Sequence, residues 1–403
     1  MSMSGTLRSV PTPVPARELR WIPEPPPRPE EYLSMRITGA VLEEIGRPRP
    51  FAESKPISLS ELELDPPGPT ELLVRIEAAG VCHSDLSVVD GNRVRPVPML
   101  LGHEAAGRVV EVGSAVDDFR VGQRVVMSFL PRCEACDNCA EDGRLPCTAG
   151  SATNNAGELL HGGRRLHRDG HPVHHHLGVS GFATHAVIDR ASAVAVDDDV
   201  PPDVAAVLGC AVLTGGGAVL NAARPRPQDS IAIVGLGGVG MAALLTAVAQ
   251  GVSRIVAIDT LDDKLARARE LGAHETYTPA EALDRGVAAR YVVECAGSAR
   301  AFETAFALTA PGGTTVTVGL PAPTATAVIS PLTVTAEART IVGSYLGSAV
   351  PRRDIPEYAR MWREGRLPVE ELISSRIPLS RINEAMDQLA DGLAVRQVVL
   401  FDD

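Results

Sequence analysis

Short β-branched runs, among them Leu72 to Ile76 and Gly107 to Val112, alternate with Gly/Pro turns from Arg36 to about Gly113, a pattern that predicts an all-β unit. Residues 131 to 180 are rich in Cys, Gly, His and Arg and show little periodicity, so they predict a long excursion ordered by something other than a core. The pattern changes at Ser230. Ile231 to Val234 reads as a buried strand, Gly235 to Gly240 as a turn and Met241 to Gln250 as an apolar helix. A strand at Ile255 to Ile258, a helix over Asp262 to Leu271, and strands at Tyr291 to Glu294 and Thr314 to Val318 follow. This alternation predicts a parallel sheet with helices on both faces. The end of the chain returns to mixed helices and one strand, Gln397 to Phe401. Residues 1 to 34 hold eight prolines and read as an extension outside the main fold.

A chain of 403 residues is too long for one small core and predicts two or three domains. A net charge of -12 argues against affinity for nucleic acid or anionic membrane. No run reaches the roughly 18 uninterrupted apolar residues that span a bilayer, and the N-terminus lacks a signal-peptide pattern, so a cytoplasmic location is expected. Only Lys55 and Lys264 are lysines among 38 basic residues, so a lysine beside a ligand position stands out. Seven cysteines in a reducing compartment point to metal binding before disulfides.

Cys133, Cys136, Cys139 and Cys147 form C-x2-C-x2-C-x7-C. Four thiolates this close can complete a tetrahedral shell with no position left for substrate, which reads as a structural zinc; an iron–sulfur cluster is the rival reading. Gly235-Leu236-Gly237-Gly238-Val239-Gly240 follows a predicted strand and opens a helix, and Asp259 ends the next strand 19 residues after Gly240. That is the pattern of a dinucleotide site, with the pyrophosphate on the helix N-terminus and the acid on the adenosine ribose. An acid there repels a 2′-phosphate, which favours NAD over NADP. The bland alternative is a glycine turn in an unliganded sheet.

Three pieces remain: Cys82, the trio Gly102-His103-Glu104, and Leu208-Gly209-Cys210. Two thiolates and an imidazole leave a fourth zinc position open, the composition of a Lewis-acid site. With GVCHSD, GHEAAGRVVEVG, LGC, GLGGVG and GLAVRQVVLF, the chain from about Met35 onward resembles the zinc-dependent alcohol dehydrogenases of the medium-chain dehydrogenase/reductase family. The resemblance implies a GroES-like, β-rich catalytic domain (35–211 and 347–403, with a structural-zinc lobe at 131–150) and a doubly wound Rossmann domain (212–346). It also implies two zinc ions per subunit: a catalytic one on Cys82, His103 and Cys210, and a structural one on Cys133, Cys136, Cys139 and Cys147.

Further roles follow from the same resemblance. Asp85 is expected to hold the His103 ring, Glu104 to lie behind the metal, and Ser84 to take the alcohol proton. The nucleotide would be held by Gly235, Gly237, Gly238, Val239, Gly240, Asp259 and Lys264, with Thr214, Val318, Leu320, Arg396 and His83 as further contacts. Phe129 and Leu320 would line the substrate pocket. The bland alternatives are a solvated His83, an ion-paired Glu104, and a Ser84 bonded to backbone. Cys295 reads as a small core residue. The run His171-Pro-Val-His174-His175-His176 reads as a wall of the cleft more readily than as a metal site.

The expected reaction is hydride transfer between an alcohol and NAD, giving an aldehyde or ketone. Where well-studied relatives carry a relay histidine, this chain has Ser87, so proton release should depend on water or buffer. A thiol-adduct formaldehyde dehydrogenase is the second reading, although Arg93 and Ser151 stand where its glutathione-using branch carries an acid and an arginine. A non-enzymatic nucleotide-binding member is the third. The expected partners are a small alcohol or aldehyde and a second copy of the chain, paired near Thr340 to Tyr345 as a homodimer, with a tetramer next.

Overall fold

The computed structural model describes residues 34–141 and 144–401, so the expected extension lies, but for its last residue, outside the described part. The chain begins with β1 (Met35–Leu42), β2 (Ile57–Leu64), β3 (Glu71–Val81), β4 (Met99–Leu100), β5 (Glu104–Val112) and β6 (Arg124–Met127). It continues with β7 (Leu166–Arg168), β8 (His171–His175), β9 (His185–Asp189) and β10 (Ala193–Ala195). β1, β2, β7, β8 and β4 close into a small barrel around Val41, Leu62, Leu64, Leu100, Leu166 and Val173. A second sheet runs β10, β6, β5, β3, with β9 also paired to β3.

The barrel corrects the expectation for residues 131 to 180. From Leu159 onward this stretch has a core of its own, because Leu159, Leu166 and Val173 turn inward while histidines and arginines occupy the intervening positions. Strands this short, in a His/Arg-rich stretch, do not show up as hydrophobic periodicity.

β11 (Ser230–Val234), β12 (Arg254–Ile258), β13 (Glu275–Tyr277), β14 (Ala289–Glu294), β15 (Thr309–Thr317) and β16 (Thr340–Gly343) form one parallel sheet in the order β13-β12-β11-β14-β15-β16. Numbered from its own first strand that order is 3-2-1-4-5-6, which places a ligand crevice between β11 and β14, where the winding reverses. Ile231 to Val234 are all buried, as expected of a strand covered on both faces. The chain then returns to the second sheet through β17 (Ile373–Ile377) and β18 (Arg396–Leu400), and β18 runs antiparallel to β3 with Gln397 opposite Val81.

One helical stretch, Pro202–Ala223, is 22 residues long with a mean hydropathy of 1.8, long and apolar enough to cross a membrane. Asp203, Thr214 and Asn221 interrupt its apolar run, and 94% of its apolar window is buried inside the protein, which makes it a core helix. Glycines allow that packing: a Cβ on Gly209 would lie 2.1 Å from the Met127 carbonyl, and one on Gly215 2.1 Å from that of Val239.

Candidate metal centre and dinucleotide cleft

Three chain segments meet at a buried cluster of soft donors. Cys82 caps the short helix His83–Val89 at the end of β3, His103 precedes β5, and Cys210 sits in the wide π-turn Leu208–Val212 of the core helix. Cys82 Sγ lies 3.9 Å from Cys210 Sγ, and Cys210 Sγ lies 3.5 Å from His103 Nε2. A tetrahedral zinc with Zn–S of about 2.3 Å and Zn–N of about 2.0 Å sets two sulfurs about 3.8 Å apart and sulfur and nitrogen about 3.5 Å apart. The donor set therefore fits that ion. The charges agree, because the hydrogen bond between the two thiols lowers Cys82 and raises Cys210, so both become thiolates together only beside a cation.

Glycines shape this site. Gly102 has φ of +89°, and a Cβ there would lie 2.5 Å from the Phe182 nitrogen. Gly80 stands opposite Glu104 in the β3–β5 ladder, where a Cβ would lie 2.2 Å from Glu104 Oε1. The Glu104 carboxylate thus occupies the space a side chain at position 80 would take. It is fully buried, neither oxygen has a hydrogen-bond partner among the described residues, and Arg396 Nε approaches Oε1 to 3.5 Å. Burial pushes its carboxyl up to about 7, against the pull of Arg396.

Asp85 organises the cluster from behind. Its Oδ2 accepts from the Cys82 N–H at 3.1 Å, and its Oδ1 accepts from the Gly102 N–H at 3.2 Å and meets His103 Nδ1 at 3.0 Å. His176 Nδ1 stands 3.1 Å from the same oxygen. Burial alone would raise this carboxyl, but His103 and His176 outweigh it and hold it at about 2. Nothing in the sequence marks the role of His176, since consecutive histidines carry no periodic signal. The structure sends that run to separate partners: His174 Nδ1 accepts from Arg164, His175 Nε2 accepts from the Arg165 N–H, and His176 faces Asp85.

The cysteine lobe lies elsewhere on the chain. The thiols of Cys133, Cys136, Cys139 and Cys147 all fall within 4.8 Å of one another, with Cys136 and Cys147 4.0 Å apart, which suits one ion and is too tight to surround a cluster of several. Cys147 Sγ accepts the N–H groups of Cys133 and Gly150, each at 3.3 Å. Backbone donors draw Cys136 down to about 6, while burial pushes Cys139 up to about 12.

At the crevice between β11 and β14, Gly235 has φ of +91°, and nothing lies within 4 Å of a Cβ built on Gly237, leaving the backbone open to a ligand. Gly238 and Val239 begin the helix Gly238–Ala249, and a Cβ on Gly240 would lie 1.8 Å from the Gly235 carbonyl. Asp259 accepts from Leu236 N–H at 2.7 Å and Leu261 N–H at 3.0 Å, leaving a lone pair on each oxygen. Lys264 is half-buried nearby on the helix Asp262–Glu270. Arg396 is buried, donates to the Val81 carbonyl at 3.0 Å, and lies so close over Gly238 that a Cβ there would be 2.4 Å from Nη2. It therefore touches both the glycine turn and the metal cluster. Thr214 is buried in the core helix, Val318 is buried just past β15, and His83 is exposed within electrostatic reach of Arg396 and Lys264.

Ser84, Phe129 and Leu320 share one cleft with His176 and Arg93, and with Val88, Arg95, Leu177 and Tyr345, which the sequence did not place there. Phe129 packs edge-on against His103 (5.5 Å) and Tyr345 (5.9 Å). Ser87 stays out of this cleft, its hydroxyl donating to the His83 carbonyl at 2.8 Å. Cys295 packs against the sheet core, and burial holds its thiol well up.

A soft-ligand metal cluster joined through Arg396 to a nucleotide-type glycine turn defines the class of metal-dependent oxidoreductases. Comparison with known proteins narrows that class. An alcohol dehydrogenase GroES-like domain matches residues 68–198 and a zinc-binding dehydrogenase domain matches residues 238–364. Alcohol dehydrogenase B of Mycobacterium tuberculosis is 33% identical over 380 residues, covering 92% of this chain and 99% of its own. Geraniol dehydrogenase of Castellaniella defragrans is 37% identical over 382 residues, with the same two coverages. Benzyl alcohol dehydrogenase of Acinetobacter calcoaceticus superposes with a TM-score of 0.83 at 29% identity, covering 91% of this chain and 100% of that one. The chain belongs to the zinc-binding alcohol dehydrogenases of the medium-chain dehydrogenase/reductase family.

Proposed function

We propose that this protein oxidises primary alcohols, or reduces the matching aldehydes, with NAD as the hydride partner. The observation that carries this reading is Arg396, one buried cation that bridges the open-shell cluster and the glycine turn. A zinc ion on Cys82, His103 and Cys210 would supply Lewis acidity, which lowers the pKa of an alcohol toward neutrality. A nicotinamide dinucleotide on the glycine turn would supply the hydride acceptor.

The remaining roles belong to the chain. Asp85 fixes the His103 tautomer by accepting from Nδ1, which leaves Nε2 free to ligate. Ser84 takes the hydroxyl proton from the substrate, and Ser87, bonded to its own helix, passes nothing on. Arg396 and the N–H groups opening the Gly238–Ala249 helix take the pyrophosphate, and Asp259 and Lys264 take the adenosine ribose. The negative charge at Asp259 disfavours a 2′-phosphate, so NAD is preferred over NADP. Phe129, Tyr345 and Leu320 suit a flat, unsaturated substrate, in keeping with the geraniol and benzyl alcohol dehydrogenases among its relatives.

A second zinc on the cysteine lobe, a cytoplasmic location suited to seven free thiols, and no nucleic-acid or membrane partner complete the proposal. A homodimer through β16 is supported by that strand's edge position and by exposed Leu332 and Ile341 near it. The test is the rate of dinucleotide reduction with a panel of primary alcohols, using NAD and NADP in parallel. A clear preference for NAD is expected. Equal or better rates with NADP would remove the role assigned to Asp259.

A further inference from the structure

The cleft holds charge that the proposed reaction does not use. Arg93 and Arg95 both line it, half-buried, in a protein of net charge -12. Neither guanidinium meets a carboxylate among the described residues, whereas the hydrogen bonds and ion pairs of most other arginines include one. Arg95 Nη1 donates to the neutral amide of Asn155, and its Nε is buried with no hydrogen-bond partner among the described residues. The two cations also lie near enough to disfavour each other: burial first, then Arg93, pulls Arg95 down. Both reach the field of the Tyr345 phenol, which burial keeps protonated and therefore a donor. The partnerless Arg95 Nε and two guanidiniums without a carboxylate leave this side of the cleft cationic, which suits an anion.

We propose that the substrate carries a carboxylate remote from its reacting carbon, and that Arg93, Arg95 and Tyr345 receive it. A planar guanidinium matches a carboxylate in a two-pronged pair, and an apolar wall from Phe129 and Leu177 suits an aromatic or hydrocarbon spacer. The chemical class is that of hydroxymethyl arenecarboxylates and long-chain hydroxy acids, with their aldehyde acids. This rests on the reading above and names its substrate class. The redox step is unchanged: the carbinol C–H bond breaks, its electron pair and hydrogen pass to the oxidised dinucleotide, the hydroxyl proton leaves through Ser84, and the carboxylate stays a spectator.

Arg93 and Arg95 line the cleft with Ser84, and neither Asp259 nor Lys264 is among the residues lining it, which assigns the arginines to the substrate and not to the adenosine ribose.

Two measurements separate this inference from the reaction itself. Titration calorimetry of the full chain with benzoate, against isosteric benzamide, reads the anion site without turnover. Benzoate is expected to bind roughly tenfold to a hundredfold more tightly, and the preference should collapse in Arg95→Met and in Arg93→Gln, the second guarding against a misfolded first. Equal binding of benzamide, or an undiminished preference in both variants, would overturn the inference. Benzenesulfonate and phenyl phosphate probe the kind of anion, and tighter binding of either would overturn the assignment to a carboxylate. The kinetic arm compares kcat/KM for para-(hydroxymethyl)benzoate and its methyl ester. A preference for the acid supports the inference, a preference for the ester contradicts it, and turnover of neither counts against the proposed reaction while leaving the calorimetric result to decide the anion site.

Discussion

Gly80 is a residue whose side chain is missing for a reason on the opposite strand. A methyl group there meets Glu104 Oε1 at 2.2 Å with no flexible end to yield, because that carboxylate is enclosed beside Arg396. Gly80→Ala is therefore expected to destabilise the protein by about 1–3 kcal/mol through overpacking, read by denaturant unfolding, and an unchanged midpoint would contradict it. Asp85→Asn removes the charge that orients His103 and His176 together. Loss of such a supporting carboxylate typically lowers metal affinity by about tenfold to a hundredfold, measurable by competition with a chelator. Wild-type affinity in that variant would show that His103 needs no support. Ser87→His places an ionisable ring one turn from Ser84, so the pH dependence of hydride transfer should change; an identical pH–rate profile would remove the relay argument.

Among the elements, the helix Phe51–Ser54 is too short to hold itself. Asp387, on the helix Ile382–Ala390, accepts from the N–H groups of Phe51 and Ala52 at 2.9 Å each and pairs with Arg49 at 3.2 Å. Burial would raise this carboxyl, but those donors outweigh it, and its pKa falls below the usual range. A depressed carboxylate contributes its stability above the unfolded-state pKa and loses it as pH falls through the folded value. Asp387→Ala should cost about 1 kcal/mol near neutral pH, and the gap from wild type should close in acid. A gap that widens as pH falls would reverse the sign argued here.

The legibility of the sequence also divides by element. The parallel sheet was readable because strands buried on both faces are continuous apolar runs and its helices are long enough to show a period. The barrel strands β7 and β8 were not, being three and five residues long, with arginine and histidine on their outer positions and a histidine, His175, buried among their inner ones. The core helix Pro202–Ala223 was hidden by its glycines, which resemble breaks until Met127 and Val239 are seen pressed against them.

At the scale of the whole molecule, the site draws on segments from position 80 to position 396, and its sequence marks are uneven. Thiols and glycines announce themselves by spacing, since metal geometry and backbone approach tolerate few substitutes. Arg95, Leu177 and Tyr345 do not, because their place depends on how the chain folds over the cleft, whereas His176 and Arg93 were placed at the cleft only through the family resemblance. The proposed reaction is hydride transfer from an alcohol carbon to a nicotinamide. The most direct measurement supplies α-deuterated benzyl alcohol, or its carboxylate-bearing counterpart, with NAD and follows the label by mass spectrometry. Deuterium in the reduced dinucleotide, lost when Cys210→Ser disables the cluster, is the predicted result; reduced dinucleotide without label, or labelling that survives that substitution undiminished, would contradict it.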